Sequence, residues 1–389
     1  MTGLRLRLPT ADGSLTEHRL SGAEAIDPPP DPPHGRVAIA AAHVVADPLG
    51  PADPTVEASI DWDATLAWRR HLWGSGLGVA EAMDTAQRGM GLDWANSLKL
   101  IRRAVAEAKA VGGQIVCGAG TDQLTPDTKV DLDAVIAAYA EQFEAVEAAG
   151  GRVVMMASRA LARCATGPED YHRVYGELLR HARAPVILHW LGETFDPALA
   201  GYWGASDLAT AADVVVDVVT DNADAVDGVK VSVLDAGVEV DLRRRLPRGV
   251  RCYTGDDFNF PDLIAGDEHG HSDALLGIFD AIAPVAATAL AALDADDMHR
   301  YRDLFHPTVA LSRHIFASPT YHYKTGLVFL AWLNGHQDHF RMIAGQESAR
   351  SVVHLAKLLM LADQARLLRD PELAASRMRT LLTLAGVES

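Results

Sequence analysis

The sequence predicts an α/β fold: a (β/α)8 TIM barrel with an N-terminal hairpin extension and a C-terminal helical subdomain. Three observations predict it. Short apolar runs alternate with longer amphipathic runs from residue 37 to about residue 265, the pattern of strand–helix units in a parallel sheet. The apolar runs number eight, the count a closed barrel needs. No Gly-x-Gly-x-x-Gly follows the first of them, so a doubly wound dinucleotide-binding sheet lacks its phosphate turn.

The elements follow in chain order. Leu4, Leu6 and Leu8 alternate with Arg5 and Arg7 before Asp12-Gly13, which reads as a hairpin. Residues 28–33, Pro-Pro-Pro-Asp-Pro-Pro, have fixed φ and almost no backbone donors, so they form a stiff connector. Buried strands are predicted over 37–42, 78–83, 114–118, 152–157, 185–190, 226–231 and 250–254, with a weaker eighth over 268–273. Helical periodicity fills the gaps over 62–73, 94–111, 132–149, 169–181, 207–220 and 258–265. The remainder reads as helix, clearest over 296–316, 319–334 and 347–369. Three regions result: hairpin and linker 1–35, barrel 36–290, and helical subdomain 291–389.

Composition narrows function. Lys plus Arg total 35 against 52 Asp plus Glu, a net charge of −17, which argues against nucleic acid and anionic membrane surfaces as partners. With 49% hydrophobic and 22% charged residues the chain can bury a large core. Cys117, Cys164 and Cys252 are too few and scattered for a disulfide framework, and no apolar leader follows the N-terminal basic residues, so a reducing, cytoplasmic location is expected. The most apolar stretch, 281–293, is too short for a membrane span and contains Pro284.

In such a barrel, catalytic groups stand at the carboxyl ends of strands. The positions so placed are His43, Asp84-Thr85, Gly118 to Thr121, Ser158, His189, Lys230, Asp256-Asp257 and His271 to Asp273. Lys230 is the one charged side chain of its apolar strand after Asp227. Burial lowers an ammonium's pKa and makes the amine a nucleophile able to form a Schiff base with a carbonyl. A lysine paired with Asp256, or turned outward between helices, is the structural alternative.

The stretch Val226-Asp227-Gly228-Val229-Lys230-Val231-Ser232-Val233-Leu234-Asp235 resembles the Gly-Ile-Lys-Glu/Asp strand of the dihydrodipicolinate synthase and N-acetylneuraminate lyase superfamily. Pro185-Val186-Ile187-Leu188-His189-Trp190 stands where that superfamily has its strand-five Pro-hydrophobic-Leu-Tyr-Asn segment. Cys252-Tyr253-Thr254-Gly255-Asp256-Asp257 resembles its strand-seven Ser/Thr-Gly-Asp-Asp, and residues 266–273 followed by Ala283-Pro284 resemble its strand-eight segment and helix. The resemblance covers 37–334 and is closest to a divergent branch catalogued as domain of unknown function 993.

The resemblance implies a lyase or hydro-lyase of class I aldolase type, acting on a keto acid or keto-sugar-derived small molecule. Lys230 becomes the Schiff-base lysine, and no metal or cofactor is needed beyond that covalent link. The family's strand-five tyrosine aligns with His189, whose imidazole can move protons near neutral pH. Its strand-two carboxylate-binding loop aligns with residues 84–88, where Thr85 survives and Arg88 offers a bidentate grip. Glu193, Asp256, Asp257, His271 and Ser272 complete the expected substrate-binding set. Trp190 and Glu193 are expected at the barrel mouth, and Arg159 or Arg163 facing the site would suit an acidic or sugar-derived substrate. A homodimer or homotetramer is implied as well. Two other readings stay open: a metal-dependent isomerase or hydrolase built on His43, Glu81 and His271, since His-x-His on a strand presents both rings to one face, and a noncatalytic small-molecule-binding barrel.

Overall fold

A computed structural model of the chain describes residues 4–51, 53, 55–125 and 129–387. The strands β1 (Arg5–Pro9) and β2 (Leu15–Arg19) form an antiparallel hairpin that turns at Asp12-Gly13, with Gly13 at φ +83°. Eight strands follow: β3 (Ala38–Ala41), β4 (Gly78–Glu81), β5 (Ile115–Ala119), β6 (Arg152–Met155), β7 (Val186–Leu191), β8 (Val226–Ser232), β9 (Arg251–Thr254) and β10 (Asp273–Leu276). Each pairs in parallel with the next, and β10 closes on β3, so the sheet is a barrel.

The helices are α1 (Trp62–Gly74), α2 (Trp94–Val111), α3 (Leu132–Ala149), α4 (Arg159–Cys164), α5 (Pro168–His181), α6 (Leu208–Asp221), α7 (Ala236–Arg245) and α8 (Phe260–Ala265). Then come α9 (Phe279–Asp294), α10 (Met298–Ile315), α11 (Tyr323–Leu333), α12 (Val352–Gln364) and α13 (Pro371–Leu384). Part of the acidic surplus is spent on their starts. Asp61, Asp93, Asp131, Asp207, Asp235, Asp297 and Asp370 are N-caps whose carboxylates accept from amides of the first turn at 2.8–3.1 Å. Carboxylates there also meet the positive end of the helix dipole.

The chain divides into two compact units. One, residues 36–42 and 78–277, holds the barrel and α2–α8. Because strand side chains alternate faces, every second residue points inward. Ile39, Ala80, Val116, Val154, Ile187, Tyr253 and Leu275 form the packed floor of the interior. The other unit, residues 1–35, 43–77 and 278–389, gathers the hairpin, α1 and α9–α13. There Leu6 and Leu8 of the hairpin are buried, Arg379 of α13 donates to the Arg5 carbonyl at 3.0 Å, and Asp363 of α12 accepts from the Ser21 amide and hydroxyl. Among the described residues no helix is long and apolar enough to cross a membrane.

The structure corrects the sequence reading in three places. The eighth strand is Asp273–Leu276, beginning where the predicted one ends. Gly266 and Gly270 take φ of +80° and +142°, and the Asp267 amide donates to the Gly270 carbonyl at 2.9 Å, so the His-rich segment is a turn that precedes the strand. The short helices α4 and α7 were not anticipated. The helix expected over 347–369 is α12 alone, and the chain restarts at the Asp370 cap as α13.

Candidate active site

Lys230 sits inside the barrel. It pairs in register with His189 of β7 on one side and Tyr253 of β9 on the other, and all three are buried. Gly228 and Gly255 make this possible. A Cβ at Gly228 would come within 2.7 Å of the Tyr253 ring that floors the site. A Cβ at Gly255 would stand 3.1 Å from Lys230 Cε and 2.1 Å from Ser232 Oγ. Burial lowers the Lys230 pKa, while the Asp84 and Asp257 carboxylates oppose that shift and keep positive charge tolerable there.

His189 is buried. Burial, and secondarily the Lys230 charge, hold its pKa well below the ordinary value, so the imidazole is neutral. Its Nε2 lies 3.2 Å from Ser232 Oγ, and its Nδ1 is buried with no hydrogen-bond partner. His189 also lines a cavity of about 280 Å³ at the carboxyl ends of β4–β7, together with Asp84, Thr121, Ser158, Arg159 and Arg163. Lys230 is not on the cavity wall; it stands beside His189 in the interior. The Thr121 and Ser158 hydroxyls are 2.6 Å apart, and the Ser158 amide donates to Tyr202 at 3.0 Å.

Arg88 reaches the cavity but its guanidinium is fully engaged. It donates to the Ala82 and Gly118 carbonyls at 3.2 and 2.7 Å, to both Asp122 oxygens at 3.2 and 2.5 Å, and to Gln142. These use all five of its N–H groups. Burial acts to raise the Asp122 pKa, but the Arg88 charge and hydrogen bonds from Arg88, Gln142 and the backbone together hold the carboxyl below its ordinary value. Arg88 therefore clamps the ends of β4 and β5 instead of gripping a substrate carboxylate. Thr85 is buried in the one-turn helix over Asp84–Ala86, beside the pocket-lining Asp84.

The sequence matches the family model described as Protein of unknown function (DUF993) over residues 6–387. The chain belongs to this family. Its fold is that of dihydrodipicolinate synthase. The enzyme from Aquifex aeolicus superposes with TM-score 0.65 at 13% identity, covering 86% of this chain and 99% of that one. YagE, a prophage protein of the dihydrodipicolinic acid synthase family from E. coli K12 solved in complex with pyruvate, gives the same TM-score, identity and coverage. The Thermotoga maritima synthase matches at TM-score 0.63 and 12% identity, covering 86% of this chain and all of that one. No curated protein matches the sequence.

Within this barrel the remaining expected residues separate. Asp257 is buried, and its charge acts to raise the Lys230 pKa. Asp256 is not paired with Lys230; its carboxylate accepts from the Phe258 and Asn259 amides at 2.8 and 3.0 Å and from Asn259 Nδ2 at 2.7 Å, folding the β9 loop. Trp190, one residue out of phase with His189, faces away from the interior. With exposed Glu193 it lines a separate crevice of about 140 Å³. His271 and Ser272 precede β10 and so stand at the amino end of the strand, opposite to the expected end; the Ser272 hydroxyl donates to Glu239 at 2.6 Å.

His43 belongs to the other unit, where its Nδ1 is 2.6 Å from Asp280 Oδ2 and its Nε2 3.3 Å from Gln337. Among the described residues no three His, Cys, Asp or Glu side chains gather as metal ligands, so the set expected around His43, Glu81 and His271 is not assembled. Ser232 was missed at the sequence level. Its place two residues after Lys230, on the same face of a strand, was the available signal.

Proposed function

We propose that the chain is a class I aldolase-like lyase or hydro-lyase that forms a Schiff base between Lys230 and a keto acid or keto-sugar-derived substrate. The observation that carries this reading is the buried Lys230–His189 cross-strand pair beneath an open cavity, the amine's pKa lowered and the imidazole neutral. The Lys230 amine adds to the substrate carbonyl and water leaves, giving an iminium. The iminium withdraws electrons from the neighbouring carbon, so a bond there breaks and its electron pair is held as an enamine. His189 carries the proton to or from that carbon or the leaving hydroxyl. Asp84 and Asp257 offset the iminium's positive charge.

No cofactor is required in this scheme. A homo-oligomer, a cytoplasmic setting, and the barrel boundaries at residues 36 and 290 accompany the proposal. The test is borohydride reduction in the presence of 2-keto acids and keto sugars, read by intact mass. An adduct on the wild type and none on Lys230→Ala supports the proposal. Ligand binding that persists in Lys230→Ala, with no adduct on either protein, supports a noncatalytic binding barrel instead.

A further inference from the structure

Among the described residues Ser232 is the one side chain hydrogen-bonded to His189, and the surroundings are built to keep it there. Both residues are buried, with relative exposures of 2% and 0%. Ser232 Oγ lies 3.2 Å from Nε2, and Gly255, whose missing Cβ would fall 2.1 Å from that oxygen, leaves it room. The opposite ring nitrogen, Nδ1, is buried without a partner on a side chain that lines the cavity. A neutral imidazole has one N–H and one lone pair. A buried N–H lacking an acceptor is rarer than an acceptor left partly unsatisfied, so the N–H belongs on Nε2, donating to Ser232, and the lone pair on Nδ1.

We infer that Ser232 is a positioning residue that fixes the tautomer and ring orientation of His189, so that Nδ1 is the nitrogen exchanging a proton with the substrate. This rests on the Schiff-base reading of Lys230 for its chemical step. In that step the C–H bond beside the iminium breaks. Its proton passes to Nδ1, its electron pair forms the enamine C=C, and the iminium π pair returns to the lysine nitrogen. Reprotonation by Nδ1–H reverses it, so deuterium from D2O enters the carbon.

The experiment uses the full chain with 2-oxobutyrate and dihydroxyacetone as probes. Borohydride adduct yield, deuterium uptake beside the carbonyl, and the 15N spectrum of His189 without ligand are measured for wild type, Ser232→Ala and Ser232→Thr. Loss of orientation without loss of the lysine predicts unchanged adduct yield in Ser232→Ala, with exchange slowed about ten-fold or more. Ser232→Thr, which keeps the hydroxyl, restores exchange, and the wild-type ring carries its proton on Nε2. Exchange in Ser232→Ala equal to wild type, failure of threonine to restore it, or a proton on Nδ1 overturns the assignment. Absence of any adduct on the wild type overturns the Schiff-base reading and with it the proton step, while the ring spectrum still decides the hydrogen bond.

Discussion

Glu239 gives the barrel a pH-dependent stability that can be measured without a substrate. It is buried on α7, its Oε1 accepting from Ser272 at 2.6 Å and its Oε2 without a partner. Burial raises its pKa from 4.5 to about 8, and the Ser272 and Thr254 hydroxyls and Arg243 only partly oppose this. The folded state therefore holds a proton that the unfolded state releases above pH 4.5. Stability from this group is fully present below pH 4.5 and is lost as pH rises to about 8. At about 1.4 kcal/mol per unit over that window the loss is about 5 kcal/mol. Urea unfolding of wild type and Glu239→Gln at half-unit steps isolates the term, because every other titrating group is common to both. Glu239→Gln, which keeps the acceptor for Ser272, is expected to remove most of the downward slope. Parallel slopes in the two proteins refute the reasoning.

Three further outcomes follow from the site. Arg88→Met removes a buried donor from the Ala82 and Gly118 carbonyls and the cation from part-exposed Asp122, while Gln142 keeps the Gly120 amide, and should cost about 1–3 kcal/mol in denaturant unfolding; no measurable cost, with weakened ligand affinity, would instead make Arg88 a ligand group. Gly255→Ala forces its Cβ to within 2.8 Å of the Val231 carbonyl as well as onto Ser232, so it should destabilise by about 1–3 kcal/mol and depress borohydride trapping. As its control, Gly176→Ala in α5, where a Cβ meets nothing within 4 Å and φ is not left-handed, should leave trapping intact. Asp257→Asn removes a charge that raises the Lys230 pKa, so the pH profile of adduct formation should move to lower pH; a shift upward contradicts the assigned electrostatics.

The barrel was legible because its strands are short apolar runs bounded by turn residues, and its longer helices carry clear amphipathic periodicity. The eighth strand departs from the expected span because left-handed Gly266 and Gly270 turn the His-rich segment, leaving the apolar Asp273–Leu276 run to close the barrel. Helix α7 was passed over because its sequence, with Arg243, Arg244 and Arg245 at the end, has little amphipathic contrast. Lys230, His189 and Asp257 were legible from motif and strand position. Arg88 was not, because its partners Ala82, Gly118, Asp122 and Gln142 come from separate elements and exhaust its donors only once folded. Ser232 shares a strand face with Lys230, which the sequence offers, but its approach to His189 follows only from the β7–β8 register.

The central claim is that Lys230 is the covalent residue, and peptide mapping of the borohydride-reduced protein tests it most directly. The chain has six lysines: Lys99, Lys109, Lys129, Lys230, Lys324 and Lys357. The account predicts that the substrate-derived mass falls on the peptide containing Lys230 alone, saturates with keto-compound concentration, and is absent from Lys230→Ala. Label spread over the other lysines, or no label from any keto acid or keto sugar, would contradict it.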